Sequence, residues 1–511
     1  MVPKIDKKVI LVAVFVPMLL LVNLVPECLA TEKFELSWES LKEHECPEWF
    51  RDAKFGCWFC WVPGSLVTDQ EAFKAEWFGR NMYEAQHPAF QHMKEIYGDQ
   101  KEFGYKDLIP LATMNRFNAH QVASLFKRAG AKFAGGIAIF HDNYAMWDSQ
   151  VTRWNSMALG PKRDIMGELA QAVRQAGMKF LPTFHHAFAW VFYEPAYKYD
   201  AGDPQYADLY GQPHEPSVSR EGKIPPTTAY LDTWLALVNE MVTKYEPDML
   251  WFDFGLERVI GRRPEYQKRM FADYYNWAVK HGRQVGVTHK HRSIHEFTGI
   301  LDFERGREDR LTEYAWLTDT TLSSTWFYHK TSTYTPVNHL IDMLVDIVSK
   351  NGCLFLNIPM RGDGSFPEQG VASLESIGLW LAVNGEAIYE TRPWLTYGEG
   401  PTGQAKRGGF SERQDMPFTS QDIRFTRTKD GRTLYAIVLD WPGEQLTIRS
   451  MRVDRRDPSA RVQLLGYDAD VSYQLNDDKQ LVIDVPDLRP EGRPCRHAFT
   501  FKLSGFDVVL H

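Results

Sequence analysis

The sequence predicts an α/β fold: a parallel (β/α)8-type, TIM-like barrel followed by an antiparallel β-sandwich. Three observations predict it. From about residue 55 to residue 383, short unbroken apolar runs alternate with stretches of helical periodicity, which is how strands buried on both faces and their covering helices read. Run after run then ends in titratable residues: His141-Asp142, His185-His186, Asp253, and His289-Lys290-His291-Arg292. From Tyr397 onward long helices stop, and short segments such as TLYAIVLDW, LTIRSMRV and LVIDVP are separated by turn residues.

The chain of 511 residues divides into three parts, 1–30, 31–394 and 395–511. The first reads as a signal peptide, with Lys4, Lys7 and Lys8 before an apolar stretch and Cys28-Leu29-Ala30 offering small residues for cleavage after Ala30. Cleavage there makes the protein secreted or periplasmic, with no stable membrane insertion afterwards; the alternative is an uncleaved anchor, since the apolar stretch approaches spanning length but contains Pro17 and Asn23. The mature chain opens with a helix in which Ser40 and Glu43 have capping-box spacing. The first strand is expected over 55–61. Residues 71–98, aromatic and charged, then read as a long loop over a cleft.

Beyond them the rhythm is regular. Helices are expected over 119–129, 165–176, 228–245, 271–281, 337–349 and 371–383. Strands are expected over 132–140, 179–184, 249–252, 284–288 and 353–358. The net charge of −8 gives no electrostatic reason to expect nucleic acid as a partner. The 16 Trp and 22 Tyr suit a sugar cleft as well as a core. Past the signal segment the cysteines are 46, 57, 60, 353 and 495, with no regular disulfide framework. Cys57 and Cys60 form a lone CxxC on a strand, where residues three apart face opposite sides, so zinc is not expected.

The stretch KYEPDMLWFDFGLE, 244–257, is the centre of the barrel reading. Met249 to Phe252 is apolar without alternation, and Asp253 follows at the carboxyl end, where barrel enzymes hold catalytic groups. The plainer alternative is that Asp253 caps the next helix or pairs with an arginine.

At this point the chain resembles the α-L-fucosidases of glycoside hydrolase family 29. The resemblance is carried by KFG at 54–56, EWFGRNMY at 76–83, FGYKDLI at 103–109, HDNYAMWDS at 141–149 and WNSMALGPKRDI at 154–165. It continues through YEPDMLWFDFG, DFERGR at 302–307, WLTDTTLSSTWFY at 316–328, LVDIVSKNGCLFLNIP at 344–359 and NGEAIYETRPW at 384–394. These motifs run in order through nearly the whole barrel. The resemblance implies a retaining glycosidase with no cofactor, acting on a fucosylated oligosaccharide or polysaccharide, with Asp253 as nucleophile. A retaining mechanism needs a second carboxyl about 5 Å away as acid and base. Glu304 is the first choice, ahead of Glu308 and Glu257; the alternative for Glu304 is an ion pair with Arg305 or Arg307. For the sugar, the resemblance suggests Glu76, Trp77, His141, Trp326 and Trp61, with His185, His289 or Arg292 as hydroxyl contacts.

Two departures stand out. Cys60-Trp61 replaces the family's usual His-Trp, and Phe140-His141-Asp142 replaces its His-His-Asp. Each removes an imidazole, which implies an altered substrate or a weakened barrel that binds fucosylated glycans without cleaving them. A metal-dependent hydrolase is disfavoured, because the histidines come with no HxH or Asp ligand set at barrel spacing except His289-Lys290-His291, which precedes an ordinary loop. The oligomeric state is left open.

Overall fold

The computed structural model describes residues 34–69, 73–215, 224–290, 294, 298–403, 406–414 and 416–511. The expected signal segment lies outside them. Among the described residues no helix is long and apolar enough to cross a membrane.

The barrel sheet consists of β1 (Phe55–Cys60), β2 (Phe133–Ala134 and Ile137–Ile139), β3 (Lys179–Phe180 and Thr183–Phe184), β4 (Met249–Phe252), β5 (Gly286–His289), β6 (Ile300–Glu304), β7 (Trp316–Thr321) and β8 (Gly352–Pro359). All neighbours pair in parallel. The first halves of β2 and β3 continue the sheet from β1, while their second halves lead through β4 back toward β8. The eight staves therefore close on themselves. β2 and β3 are interrupted where Gly135, whose Cβ would fall 1.7 Å from the Leu181 carbonyl oxygen, meets Leu181 and Pro182. Pro182 has no N–H to give the ladder.

β1, β4 and β8 are buried along their whole length, as their largely apolar runs predict. Helices Thr228–Tyr245 and Val337–Ser349 have the predicted bounds. The helix before β5 is longer than expected, Pro264–Lys280, with a proline starting it. Two sequence expectations fail. The first helix is Trp38–Leu41, capped by Ser37, while Ser40 instead accepts from the Glu35 N–H. The supposed loop over 71–98 holds helices Ala75–Asn81 and Pro88–Tyr97.

The C-terminal part is an antiparallel sandwich of a six-stranded and a three-stranded sheet. Its first strand, Arg392–Glu399, pairs with Ile423–Arg427. Its core includes Trp394, Phe425, Phe499 and Phe501. One buried carboxylate joins sandwich to barrel. Asp346, on helix Val337–Ser349, takes Lys350 at 2.7 Å, Arg307 at 3.1 Å and Arg424 of the sandwich at 2.7 Å.

Candidate active site

A cavity of about 750 Å³ opens at the carboxyl ends of the barrel strands. The strand ends supply many of the side chains that line it. From β1 these are Trp58 and Cys60, from β6 Asp302 and Glu304, and from the ends of β2, β3, β4 and β5 His141, His185, Asp253 and Lys290.

Asp253 is 8 % exposed. Its Oδ1 accepts the Phe254 N–H at 2.8 Å, and its Oδ2 lies 3.2 Å from His185 Nδ1 and 3.5 Å from His141 Nε2. His185 Nδ1 therefore donates to the carboxylate, and the ring's other nitrogen sits 3.2 Å from Thr183 Oγ1. His141 Nδ1 lies 2.8 Å from the His185 carbonyl and must carry a proton to bond it. Burial lowers His141 to about 4, with Asp253 opposing, so the ring is neutral and its Nε2 lone pair faces Asp253. Burial also works against ionisation of Asp253. The His185 hydrogen bond, then the Lys290 charge, outweigh it and hold this carboxyl well below the usual carboxylate range.

Glu304 is biased the opposite way. Burial pushes it up to about 7, Asp319 and Asp253 add to the rise, and Lys290 and Arg305 oppose it. Glu304 does not pair with Arg305 or Arg307, because Arg305 bonds Glu412 and Arg307 bonds Asp346. Lys290 lies beneath, 2.5 Å from Asp319, 3.3 Å from Asp302 and 3.9 Å from Glu304, and 4.6 Å from the Trp251 ring centroid. Trp251 Nε1 donates to Asp302 at 2.9 Å. Burial raises the Glu76 carboxyl, with Lys74 and Arg305 opposing.

The donor atoms of His141, His185 and Asp253 lie within 4.8 Å of one another, a set that sequence spacing gave no sign of. It arises because β2, β3 and β4 are neighbours. A metal there would have to displace the His185–Asp253 hydrogen bond.

Against this geometry, a family model described as alpha-L-fucosidase matches residues 22–386, and one described as alpha-L-fucosidase C-terminal domain matches 416–504. The chain belongs to the α-L-fucosidase family. It is a glycoside hydrolase. Plasma alpha-L-fucosidase of Rattus norvegicus is 27% identical over 96% of this chain and 98% of its own length. Tissue alpha-L-fucosidase of Bos taurus is 27% identical over 94% and 92%. A crystal structure of the Thermotoga maritima alpha-fucosidase with a mechanism-based inhibitor superposes with a TM-score of 0.71 at 27% identity, covering 92% of this chain and 100% of that one.

In this fucosidase-family barrel the cavity gathers Asp253, Glu304, Glu76, Trp77, His141, His185 and Trp326. Four expected residues are elsewhere. Trp61 packs on the far side of β1, its Nε1 donating to the Gly362 carbonyl at 3.1 Å, while Trp58 takes the cavity face. His289 faces away from the cavity, with Glu257 3.7 Å from it, while the next residue, Lys290, faces in. Glu308 is buried against Tyr314 and Arg407, and neither it nor Glu257 lines the cavity. Arg292 lies outside the described residues. Both departures from the family pattern fall on the wall, where Cys60 and Phe140 pack with Trp58 and Phe327 into an apolar face.

The sequence reading missed Trp58, Lys290, Asp302, Asp319 and the segment 407–410.

Proposed function

We propose that this chain is a retaining exo-glycosidase that releases terminal α-L-fucose, or a close deoxysugar analogue, from fucosylated glycans. In this reading it is exported after loss of residues 1–30. The relatives named alpha-L-fucosidase support the sugar. One observation carries the mechanism: Asp253 and Glu304 share a cavity in which the first is held ionised and the second is raised to about 7. This is the division of labour that double displacement needs.

The Asp253 carboxylate attacks the anomeric carbon while Glu304 gives its proton to the departing oxygen. The resulting ester is then opened by water that Glu304, now a carboxylate, deprotonates. The neutral His141 Nε2 and the Asp253 carboxylate are both acceptors, 3.5 Å apart, so a sugar hydroxyl lying beside the pair can donate its hydrogen to either. The apolar face of Cys60 and Phe140 suits the sugar's methyl or a substituted hydroxyl. A barrel that binds without cleaving is not favoured, because both carboxyls are present.

The test is proton NMR of the first-formed sugar from an aryl α-L-fucoside. An α product supports retention, and an initial β product overturns it. Export is checked by the N-terminus of the secreted protein, expected at Thr31.

A further inference from the structure

One wall of the cavity does not come from the barrel. Arg407, Gly408, Gly409 and Phe410 lie in the connection between sandwich strands Arg392–Glu399 and Ile423–Arg427, and they line the cavity beside Glu304. Main-chain bonds stitch this strap to the end of β6. The Phe410 N–H donates to the Glu304 carbonyl at 2.7 Å, Glu412 N–H to Arg305 at 3.2 Å, and Arg307 and Gly408 exchange bonds of 3.3 and 3.1 Å. The approach is close enough that a Cβ on Gly306 would fall 1.9 Å from the Gly408 carbonyl oxygen.

Two residues at this seam have backbones in the left-handed region without being glycine: Arg305 at φ +47° and Phe410 at φ +57°. Such conformations are uncommon for residues other than glycine and cluster at ligand sites. Phe410 also leaves 42% of its surface exposed, whereas Phe140, Phe188 and Phe327 on the same cavity are buried. The guanidinium groups of Arg305 and Arg407 line the same cavity. Arg305 bonds Glu412 and lies 6.0 Å from the Trp326 ring centroid, and Arg407 is fixed through Nε to Glu308 at 2.5 Å.

We infer that the strap 407–410 forms the leaving-group subsite and that it takes a pyranose sugar. The Phe410 ring is the platform for the apolar face of that sugar, and the guanidinium edges of Arg305 and Arg407 donate to its hydroxyls. The inference rests on reading Glu304 as the proton donor, since the donor flanks the departing oxygen. A ring platform combined with several fixed donors matches a sugar, which offers an apolar face and hydroxyl acceptors together.

The experiment compares kcat/KM of wild type, Phe410→Ala and Phe410→Tyr on a fucosyl disaccharide and on α-L-fucosyl fluoride, whose leaving group is too small to reach the strap. Phe410→Ala is expected to lose about ten-fold or more beyond its loss on the fluoride, chiefly through KM, and Phe410→Tyr to recover most of it. Equal losses on the two substrates, or an undiminished disaccharide rate, overturn the subsite. A wild-type enzyme inactive on both substrates overturns the fucosidase reading and the subsite with it. Thermal melting of both variants separates a local effect from misfolding.

Discussion

The ammonium of Lys290 lies 3.9 Å from the carboxylate of Glu304, on the floor of the cavity. The same cation is closer to Asp319 and Asp302, at 2.5 and 3.3 Å, and its field extends to Asp253. A single buried charge thus stabilises the ionised form of four acids, including the two proposed to carry the chemistry.

Replacing Lys290 with Met is therefore expected to raise both working carboxyls. The alkaline limb of kcat/KM moves to higher pH, because Glu304 keeps its proton longer. The acid limb also moves up, because Asp253 protonates sooner. The variant also loses stability, by up to about 3–5 kcal/mol, since Asp302 and Asp319 are left buried without their cation. A pH–rate profile and a denaturant melt measure the two effects. Unmoved limbs would remove Lys290 from the mechanism.

The pH dependence of the wild type follows from the same groups. With Glu304 as the proposed acid, kcat/KM is expected to fall as pH rises through about 7. Asp253 must be ionised and is held well below the usual carboxylate range, so activity persists far into acid. Glu304→Gln is expected to abolish the alkaline limb. It should slow poor leaving groups about 100- to 10,000-fold and dinitrophenyl fucoside much less. A uniform loss across leaving groups would point to another acid.

Asp253→Ala is expected to reduce turnover at least about 1,000-fold. Azide should restore part of the rate and yield a glycosyl azide of inverted configuration, which NMR detects. Rescue without inversion would mean that azide does not enter from the Asp253 side.

Chelation should leave turnover unchanged even though His141, His185 and Asp253 converge. The check is activity after extended dialysis against a chelator, then again with zinc added back. A loss restored by zinc would replace the carboxylate mechanism with a metal one.

At the joint between barrel and sandwich, Asp346→Asn is expected to cost about 3–5 kcal/mol at neutral pH by leaving three buried cations underpaired. Burial opposes ionisation of Asp346, but Lys350, Arg424 and Arg307 hold it well below the usual range. Its contribution is therefore complete above the unfolded carboxylate value, about 3.9, and is lost as pH falls toward its folded value. Urea unfolding of wild type and variant should converge in acid.

Strand and helix order through β1–β5 and β8 was legible because those runs are apolar and the helices periodic. β6 and β7 were not read as staves. ILDFE and WLTDTT carry aspartates that look solvated, yet Asp302 and Asp319 are wholly buried and matched by Lys290. A strand whose inward charges are neutralised by a distant residue mimics an exposed one. The same limit explains Trp61 and His289: motif spacing found the strand ends, and only register decided that Trp58 and Lys290 turn inward. The strap was out of reach because it lies about a hundred residues beyond the acid it borders.

The tie between Phe410 and the Glu304 carbonyl has a consequence for damage far along the chain. A nonsense codon or a protease nick near residue 400 would remove more than an appendage. Arg307 and Lys350 would lose the arrangement that includes Arg424, and the end of β6 would lose the Phe410 hydrogen-bond donor. Fragments of this protein that keep every barrel motif should therefore be poor catalysts, and a surviving KFG or WFD signature in a shortened homologue is weak grounds for expecting it to work.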